Sequence, residues 1–139
     1  MKTVLMALLL FAGTAQASTL ASADNTQAAA PVASGVIAQG TFKPVDTKHS
    51  IRGNFRFEKR SNGLFLKLGS NFKTTKGPDL RLVLRDSTGK TPMVILAPLT
   101  KFRGSQKYQL ALTETELSQY NELVVYCAEF HVDFGVGTL

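Results

Sequence analysis

The stretch that decides the fold is Ile51–Leu68, IRGNFRFEKRSNGLFLKL. In its first part, apolar side chains such as Phe55 and Phe57 alternate with polar ones, which is typical of a half-buried β-strand. Ser61-Asn62-Gly63 then supplies a tight turn, because Asn and Gly tolerate a positive φ. Leucines at every second position resume the alternation up to Leu68. The stretch therefore predicts a β-hairpin.

The sequence that follows the hairpin predicts further short strands separated by turns. Leu80–Arg85 alternates again and predicts a strand. Met93–Leu96 lies between two prolines and predicts an edge strand or a short extended piece. Gly104 opens another strand, on which Tyr108 faces inward. Thr113 has Glu116 three residues on, which predicts a capping box and one short helical turn. The fold predicted is all-β, an antiparallel sandwich or small barrel of about seven to eight strands.

The C-terminal segment Glu122–Phe134 is predicted to be one long strand, and it carries the only cysteine, Cys127. On a regular strand, Cys127 shares a face with Val125 and Glu129, so it lies where an apolar row turns acidic. A β-bulge near Ala128-Glu129 would instead place it on the same side as Phe130. The pattern leaves both arrangements open.

The same segment limits the chemistry available to Cys127. Side chains four residues apart on a strand are separated by about 13 Å, so Cys127 and His131 cannot share a metal ion without a bulge. The residues therefore predict no metal site. The candidate ligands that are close enough to share an ion are Glu129 with His131, or His131 with Asp133. Neighbouring carboxylates also disfavour a thiolate nucleophile. We expect the protein not to be an enzyme.

The N-terminus has the order of a secretory signal peptide over residues 1–17, with Lys2, an apolar run and Ala15-Gln16-Ala17. Such a signal would direct export to a periplasm or the cell exterior, with cleavage near Ala17. The mature chain is predicted to have no transmembrane segment. Residues 18–38 are rich in Ala and Ser and are predicted to be a flexible leader. The β domain is assigned to residues 39–139.

Charge is distributed unevenly along the domain. Lys43–Lys107 contains 15 Lys and Arg against four acids, whereas Tyr108–Leu139 has five acids and no Lys or Arg. Such a basic body favours an acidic partner. The basic residues are scattered, however, so solvated strand faces are the simpler explanation. Nucleic-acid binding is not expected, because the phenylalanines alternate away from the arginines.

Several short pieces, taken in order, resemble the DM-thirteen domain, also called the electron-transfer DM domain. They cover nearly all of residues 39–139 and comprise Gly40-Thr41-Phe42, His49, Gly53, Gly77-Pro78-Asp79-Leu80, Gly104-Ser105-Gln106-Lys107-Tyr108, Tyr120, Val125-Tyr126-Cys127, Phe130, Phe134-Gly135 and Leu139. The resemblance implies a compact all-β extracellular domain of the kind found beside cytochrome b-type domains. Tyr126 stands where the family often has tryptophan.

The resemblance also implies a function. Family members are proposed to take part in electron transfer, with the cysteine matched by Cys127 as a naked thiol or haem ligand. Haem is then a possible cofactor, with His49 or His131 as second ligand. Covalent c-type attachment is excluded, because C-x-x-C-H is absent. Because no redox domain is fused to this chain, a separate envelope protein would have to be the redox partner.

Two functional hypotheses follow from these observations. The first is an exported electron-transfer or redox accessory module centred on Cys127. The second is a non-catalytic envelope binding module whose basic face docks an acidic protein or a polyanion. Gly77, Pro78, Asp79, Gly104 and Tyr108 are interpreted as structural in both cases, with Asp79 accepting backbone hydrogen bonds in an Asx-type turn.

Overall fold

The computed structural model describes residues 35–139, so the predicted signal peptide and most of the predicted leader lie outside the described residues. Within that range no helix combines the length and apolarity needed to cross a bilayer. The described elements, in chain order, are β1 (Gly35–Pro44), β2 (Ile51–Arg52), β3 (Asn54–Arg60), β4 (Gly63–Leu68), β5 (Lys73–Thr74), β6 (Leu80–Arg85), β7 (Val94–Pro98), β8 (Gln106–Leu110), α1 (Glu114–Leu117), β9 (Glu122–Cys127) and β10 (Val132–Thr138).

Eight of these strands form one antiparallel sheet in the order β7-β6-β9-β10-β1-β3-β4-β8, and β2 pairs with β5 separately. The sheet curls into a nearly closed barrel whose edges are β7 and β8. This confirms the predicted all-β fold, and it favours the barrel over the sandwich. The edge position predicted for Met93–Leu96 is also confirmed, because β7 pairs only with β6.

The predicted hairpin is present as β3 and β4, joined through Ser61 and Asn62. Gly63 after the turn has a φ of +133°, a conformation that residues with a Cβ rarely adopt. Gly53, at φ +122°, separates Ile51 from the hairpin, so Ile51 pairs with Thr74 instead. The alternation that runs through Ile51 therefore belongs to two strands rather than one.

The first strand begins at Gly35, four residues before the predicted start of the domain. Residues 35–38 fall within the predicted leader, and in the structure they form the start of β1. Their backbone groups pair with β3, with Gly35 opposite Lys59 and Val36 opposite Glu58. Ile37 and Ala38 also pack against the core, so this part of the strand is held by side-chain contacts as well as by backbone pairing.

The core lies inside the barrel and is built from the inward row of each strand. Its fully buried members include Phe57, Leu66, Leu82, Leu84, Leu123 and Val125. Phe55 packs where β10, β1 and β3 meet, and a Cβ on Gly40 or Gly137 would collide with its ring. These two glycines therefore let an aromatic ring fill the junction between the two halves of the sheet.

The barrel is closed at its seam by side chains rather than by a strand ladder. The Tyr108 hydroxyl on β8 accepts from the Thr100 backbone N–H at 3.1 Å, just beyond the end of β7. Gln106 accepts from the Lys101 N–H at 3.0 Å and donates to the Lys101 carbonyl at 2.8 Å. Gly104, at φ +86°, turns the chain before β8. Gly104 and Tyr108 thus lie where the chain passes from the end of β7 into β8.

The short helix also forms as expected. Thr113 accepts from the Glu116 N–H at 3.2 Å, and Glu116 accepts from the Thr113 N–H at 2.7 Å. These are the two reciprocal bonds of a capping box. Leu117 is the helical residue that is buried against the core.

Candidate functional site

The predicted long strand Glu122–Phe134 is in fact a hairpin, which corrects the sequence prediction. Strand β9 ends at Cys127, the chain turns over Ala128–His131, and β10 returns with Val132 opposite Cys127. His131 takes a φ of 57°, the one positive φ among the non-glycine residues from 35 to 139. The turn contains no Gly, Pro or Asn, so the apolar alternation passes through it without interruption.

Cys127 lies in the core and is fully buried. It shares the inward face of β9 with Leu123 and Val125, and its neighbour across the other ladder is Leu80 on β6. Neither of the two arrangements left open by the sequence is present, because the chain turns before Glu129 can continue the row of Cys127. The bulge in this hairpin lies between Asp133 and Gly135, on the other strand.

The Gly77-Pro78-Asp79 loop covers the end of the barrel beside Cys127. The Asp79 carbonyl accepts from the Ala128 N–H at 2.9 Å, which ties the loop to the β9–β10 turn. A Cβ on Gly77 would lie 3.0 Å from the Phe134 ring and 2.8 Å from Leu80, so the close approach requires glycine here. The sequence did not show this close packing of Gly77.

The Asp79 carboxylate has a different partner from the one expected. It accepts two hydrogen bonds from Arg81, at 3.0 Å from Nε and 2.9 Å from Nη2, instead of backbone bonds in an Asx-type turn. These hydrogen bonds, outweighing a small desolvation effect, lower the pKa of Asp79 below its ordinary value. The Asp79 side chain therefore fixes strand β6 from outside while its carbonyl holds the turn.

His49 lies at the same end of the barrel. Its ring stacks on Phe134 with the ring centres 4.0 Å apart, and its Nδ1 is 2.9 Å from an Asp46 carboxylate oxygen. Asp46 also accepts from the His49 N–H, and that hydrogen bond is the largest cause of its lowered pKa. When Nδ1 donates to Asp46, the lone pair of the ring is on Nε2. His49 is thus an oriented imidazole, and only about a fifth of its side chain is exposed.

The other candidate ligands do not come together. His131 is exposed in the turn, with its Nδ1 3.4 Å from the Tyr126 hydroxyl. Asp133 is engaged by Arg85, whose Nη1 lies 2.7 Å from its carboxylate. Within residues 35–139 no three His, Cys, Asp or Glu side chains lie close enough to hold a metal ion. Glu129, His131 and Asp133 are therefore not brought together as a ligand set.

Three separate segments meet where β9 ends, and we call this region the Cys127 end. It consists of the hairpin residues Cys127, Ala128–His131 and Phe134, the Gly77-Pro78-Asp79 loop, and Asp46 with His49. Ser50 and Thr75 tie the His49 loop to the Gly77 loop, because the Thr75 N–H donates to the Ser50 carbonyl at 2.8 Å. The segments are up to about 80 positions apart in the sequence, so only the fold brings them together.

The surroundings of Cys127 decide whether its thiol could hold a haem. Four clefts stand out on the surface of residues 35–139, and Cys127, His49 and His131 line none of them. Cys127 is enclosed by the core, and His131 lies in the exposed turn. An axial thiolate requires an apolar cleft open to a macrocycle. The residues of the Cys127 end do not fit a haem.

A second feature was missed by the sequence reasoning. Arg56, Lys67 and Lys107 stand opposite one another on β3, β4 and β8, and they form a line across the outer face that we call the cation row. Each occupies a polar position in its strand, and in the sequence the three look scattered. Only strand register brings them together, and register was not predictable from the sequence.

Comparison with protein-family models matches residues 41–139 to the family described as Electron transfer DM13. No curated protein matches the chain. No solved structure matches it either.

Proposed function

The chain belongs to the electron transfer DM13 family, and from that premise we propose that it is an electron-transfer accessory module that works at its Cys127 end. Cys127 is the proposed redox residue. The observation that supports the proposal is that the chain's single thiol ends strand β9, next to the turn that the Asp79 carbonyl holds. Gly77 and His49 both pack on Phe134, in the strand that returns from that turn.

The surrounding residues would control access to the thiol. Burial separates Cys127 from oxidants in water, and exposed redox cysteines differ from it in this respect. One backbone hydrogen bond, from the Ala128 N–H to the Asp79 carbonyl, joins the covering loop to the turn. If this hydrogen bond broke and the loop moved away, Cys127 at the end of β9 would become accessible. A docking partner that binds the open form would favour it by mass action.

The chemistry is limited by the cysteine count. With one cysteine the chain cannot form an internal disulfide. We propose that Cys127 reacts by thiol–disulfide exchange: its thiolate attacks a disulfide of the partner, and a mixed disulfide forms as the partner's S–S bond breaks. The partner's second sulfur leaves as a thiolate and takes up the proton that Cys127 lost. The partner we propose is a redox protein of the compartment to which the signal peptide would direct the chain. Haem plays no part in the proposal, since the residues do not fit it.

The first test measures access to the thiol. A thiol reagent should react slowly with the folded protein and rapidly in urea. Gly77→Ala places a methyl group against Leu80 and Phe134 and should speed the reaction at least tenfold, because it displaces the loop. Gly35→Ala is the matched control, since nothing lies within 4 Å of its Cβ, and it should leave the rate unchanged.

The second test measures the redox role itself. The protein is isolated from its own cells after acid quenching, and Cys127 is examined by mass spectrometry for a mixed disulfide. We expect a protein partner that is released by reductant and is absent from Cys127→Ala. A thiol found fully reduced under oxidising growth, in a Gly77→Ala variant as well as in the native chain, would overturn the proposal.

A further inference from the structure

The cation row lies on the outer face of one half of the barrel. Arg56 pairs with Lys67 across β3 and β4, and Lys67 pairs with Lys107 across β4 and β8, while Gln39 on β1 lies opposite Arg56. Neighbouring strands are about 4.8 Å apart, so the three cations span about 10 Å across the sheet. Three like charges at adjacent positions repel one another, and such an arrangement costs stability unless something compensates it.

One carboxylate compensates part of this charge. Glu58 is buried, and it is surrounded by Arg56, Arg60 at 2.6 Å and Lys67 at 3.5 Å. Hydrogen bonds from Arg56 and Arg60 are the main causes that lower its pKa to about 2. Glu58 therefore stays ionised at neutral pH and neutralises one of the three cations that share it.

Lys107 has no carboxylate partner among residues 35–139. Its Nζ lies 4.8 Å from the centre of the Phe65 ring, a cation–π contact at an exposed site. Such a contact positions the ammonium without neutralising it. The charge of Lys107 is thus available to a ligand, and so is part of the charge of Arg56 and Lys67.

A cleft of about 400 Å³ opens beside the row. Its lining includes all three cations and no Asp or Glu, and the hydroxyls of Ser70 and Ser105 add donors. A second cleft adjoins it and shares Gln39 and Arg56 with it, so the two form one groove along β3. The second cleft adds Lys59 and Arg60, together with Glu58.

We infer that this groove is the docking site for an extended acidic segment of a partner protein. The cations are spread along a line rather than gathered around one point, which suits several separate charges better than one compact anion. An extended peptide presents same-face side chains about 6.7 Å apart, so carboxylates at alternate positions match the spread of the row. The face already binds one carboxylate, that of Glu58, through three cations.

The test uses a fluorescently labelled peptide in which Glu and Ser alternate, and it measures anisotropy at low ionic strength. The double variant K67Q/K107Q should bind about tenfold more weakly, because two partly exposed ion pairs with the peptide are lost. The variant K43Q/K90Q removes the same charge from exposed positions outside the groove and should lose less than twofold. Raising the salt to ~1 M, where screening acts within ~3 Å, should abolish binding.

Three outcomes would overturn the inference. Equal loss in the two double variants would mean attraction to net charge alone. Absence of peptide binding at low salt would remove the site. Binding of a sulfated oligosaccharide that depends on Lys67 and Lys107, with the peptide inactive, would mean a different class of ligand. Cys127→Ala should bind the peptide normally, so failure of this site and failure of the redox proposal can be told apart.

Discussion

The outer faces of the two halves of the barrel differ in how many carboxylates are available to each arginine or lysine. On the half formed by β6, β9 and β10, which we call the paired face, Arg81 is held by Asp79 and Arg85 is held by both Glu122 and Asp133. On the half formed by β3, β4 and β8, which we call the cation face, Glu58 is shared among three cations.

Both faces cover the same core, and they differ in how the charges of their outer side chains are paired. On the paired face, Arg85 links three strands. Burial alone would lower the pKa of Arg85, but its hydrogen bonds to Asp133 and Glu122 outweigh that effect and raise it. On this face, both arginines have carboxylate partners from the chain itself. The cation face has an excess of positive charge that only a partner or salt can neutralise, which is the physical reason for placing a docking site there.

The largest expected effect is at the junction of the two halves. Gly137→Ala places a Cβ 2.2 Å from Cε1 of Phe55, on the strand that joins β9 to β1. We expect a loss of about 3 kcal/mol or more in the free energy of unfolding in urea, because the ring cannot move within a packed core. Both faces should lose their native signals together, since they share this core.

A rescue variant controls for that prediction. Gly137→Ala combined with Phe55→Leu removes the ring that the new methyl group meets, and the pair should be more stable than Gly137→Ala alone. A double variant no more stable than the single one would mean that the collision with Phe55 is not the cause.

The next largest effect tests the shared carboxylate of the cation face. Glu58→Gln leaves Arg56, Arg60 and Lys67 without their counter-charge, and we expect a loss of about 2 kcal/mol at pH 7. A lowered pKa contributes stability above the ordinary value of 4.5, and this stability is lost as the pH falls toward about 2. The difference between native and variant unfolding curves should therefore disappear near pH 2. A constant difference over that range would contradict the role of ionised Glu58.

A smaller effect is expected on the paired face. Arg85→Gln should cost about 1 kcal/mol, because the side chains involved are between a fifth and a third exposed and water screens the pairs. Thermal unfolding at low and high salt measures the loss, which should shrink as salt is added. A loss as large as that of Glu58→Gln would mean that the two faces do not differ as described.

The smallest effect separates stability from binding. Lys107→Gln should change the free energy of unfolding by less than about 0.5 kcal/mol, because Lys107 is exposed and has no ion-pair partner within residues 35–139. Chemical unfolding of the single variant checks this value. A marked gain in stability would show that the cations of the row repel one another strongly enough to strain the native sheet.

Local sequence patterns predicted most elements of the barrel. The period-2 alternation of β3, β4 and β6, the Asn-Gly turn and the Thr113–Glu116 capping box are all short-range features, so local rules predict them. The turn at Ala128–His131 was missed because it lacks the usual turn residues and is held by the carbonyl of Asp79, from a distant loop. The Cys127 end and the cation row were not predictable for the same reason, since both depend on which strands become neighbours.

The pairing of β1 with β10 has a consequence for how the molecule is assembled. The earliest and the latest strands of residues 35–139 are neighbours in the middle of the sheet, with Phe42 opposite Gly137. A nascent chain cannot complete this ladder until Val132–Thr138 has left the ribosome, and such long-range pairing makes folding slow. Until β10 is in place, the strands β7-β6-β9 and the strands β1-β3-β4-β8 have no ladder between them, and their unpaired edges are open to chaperones.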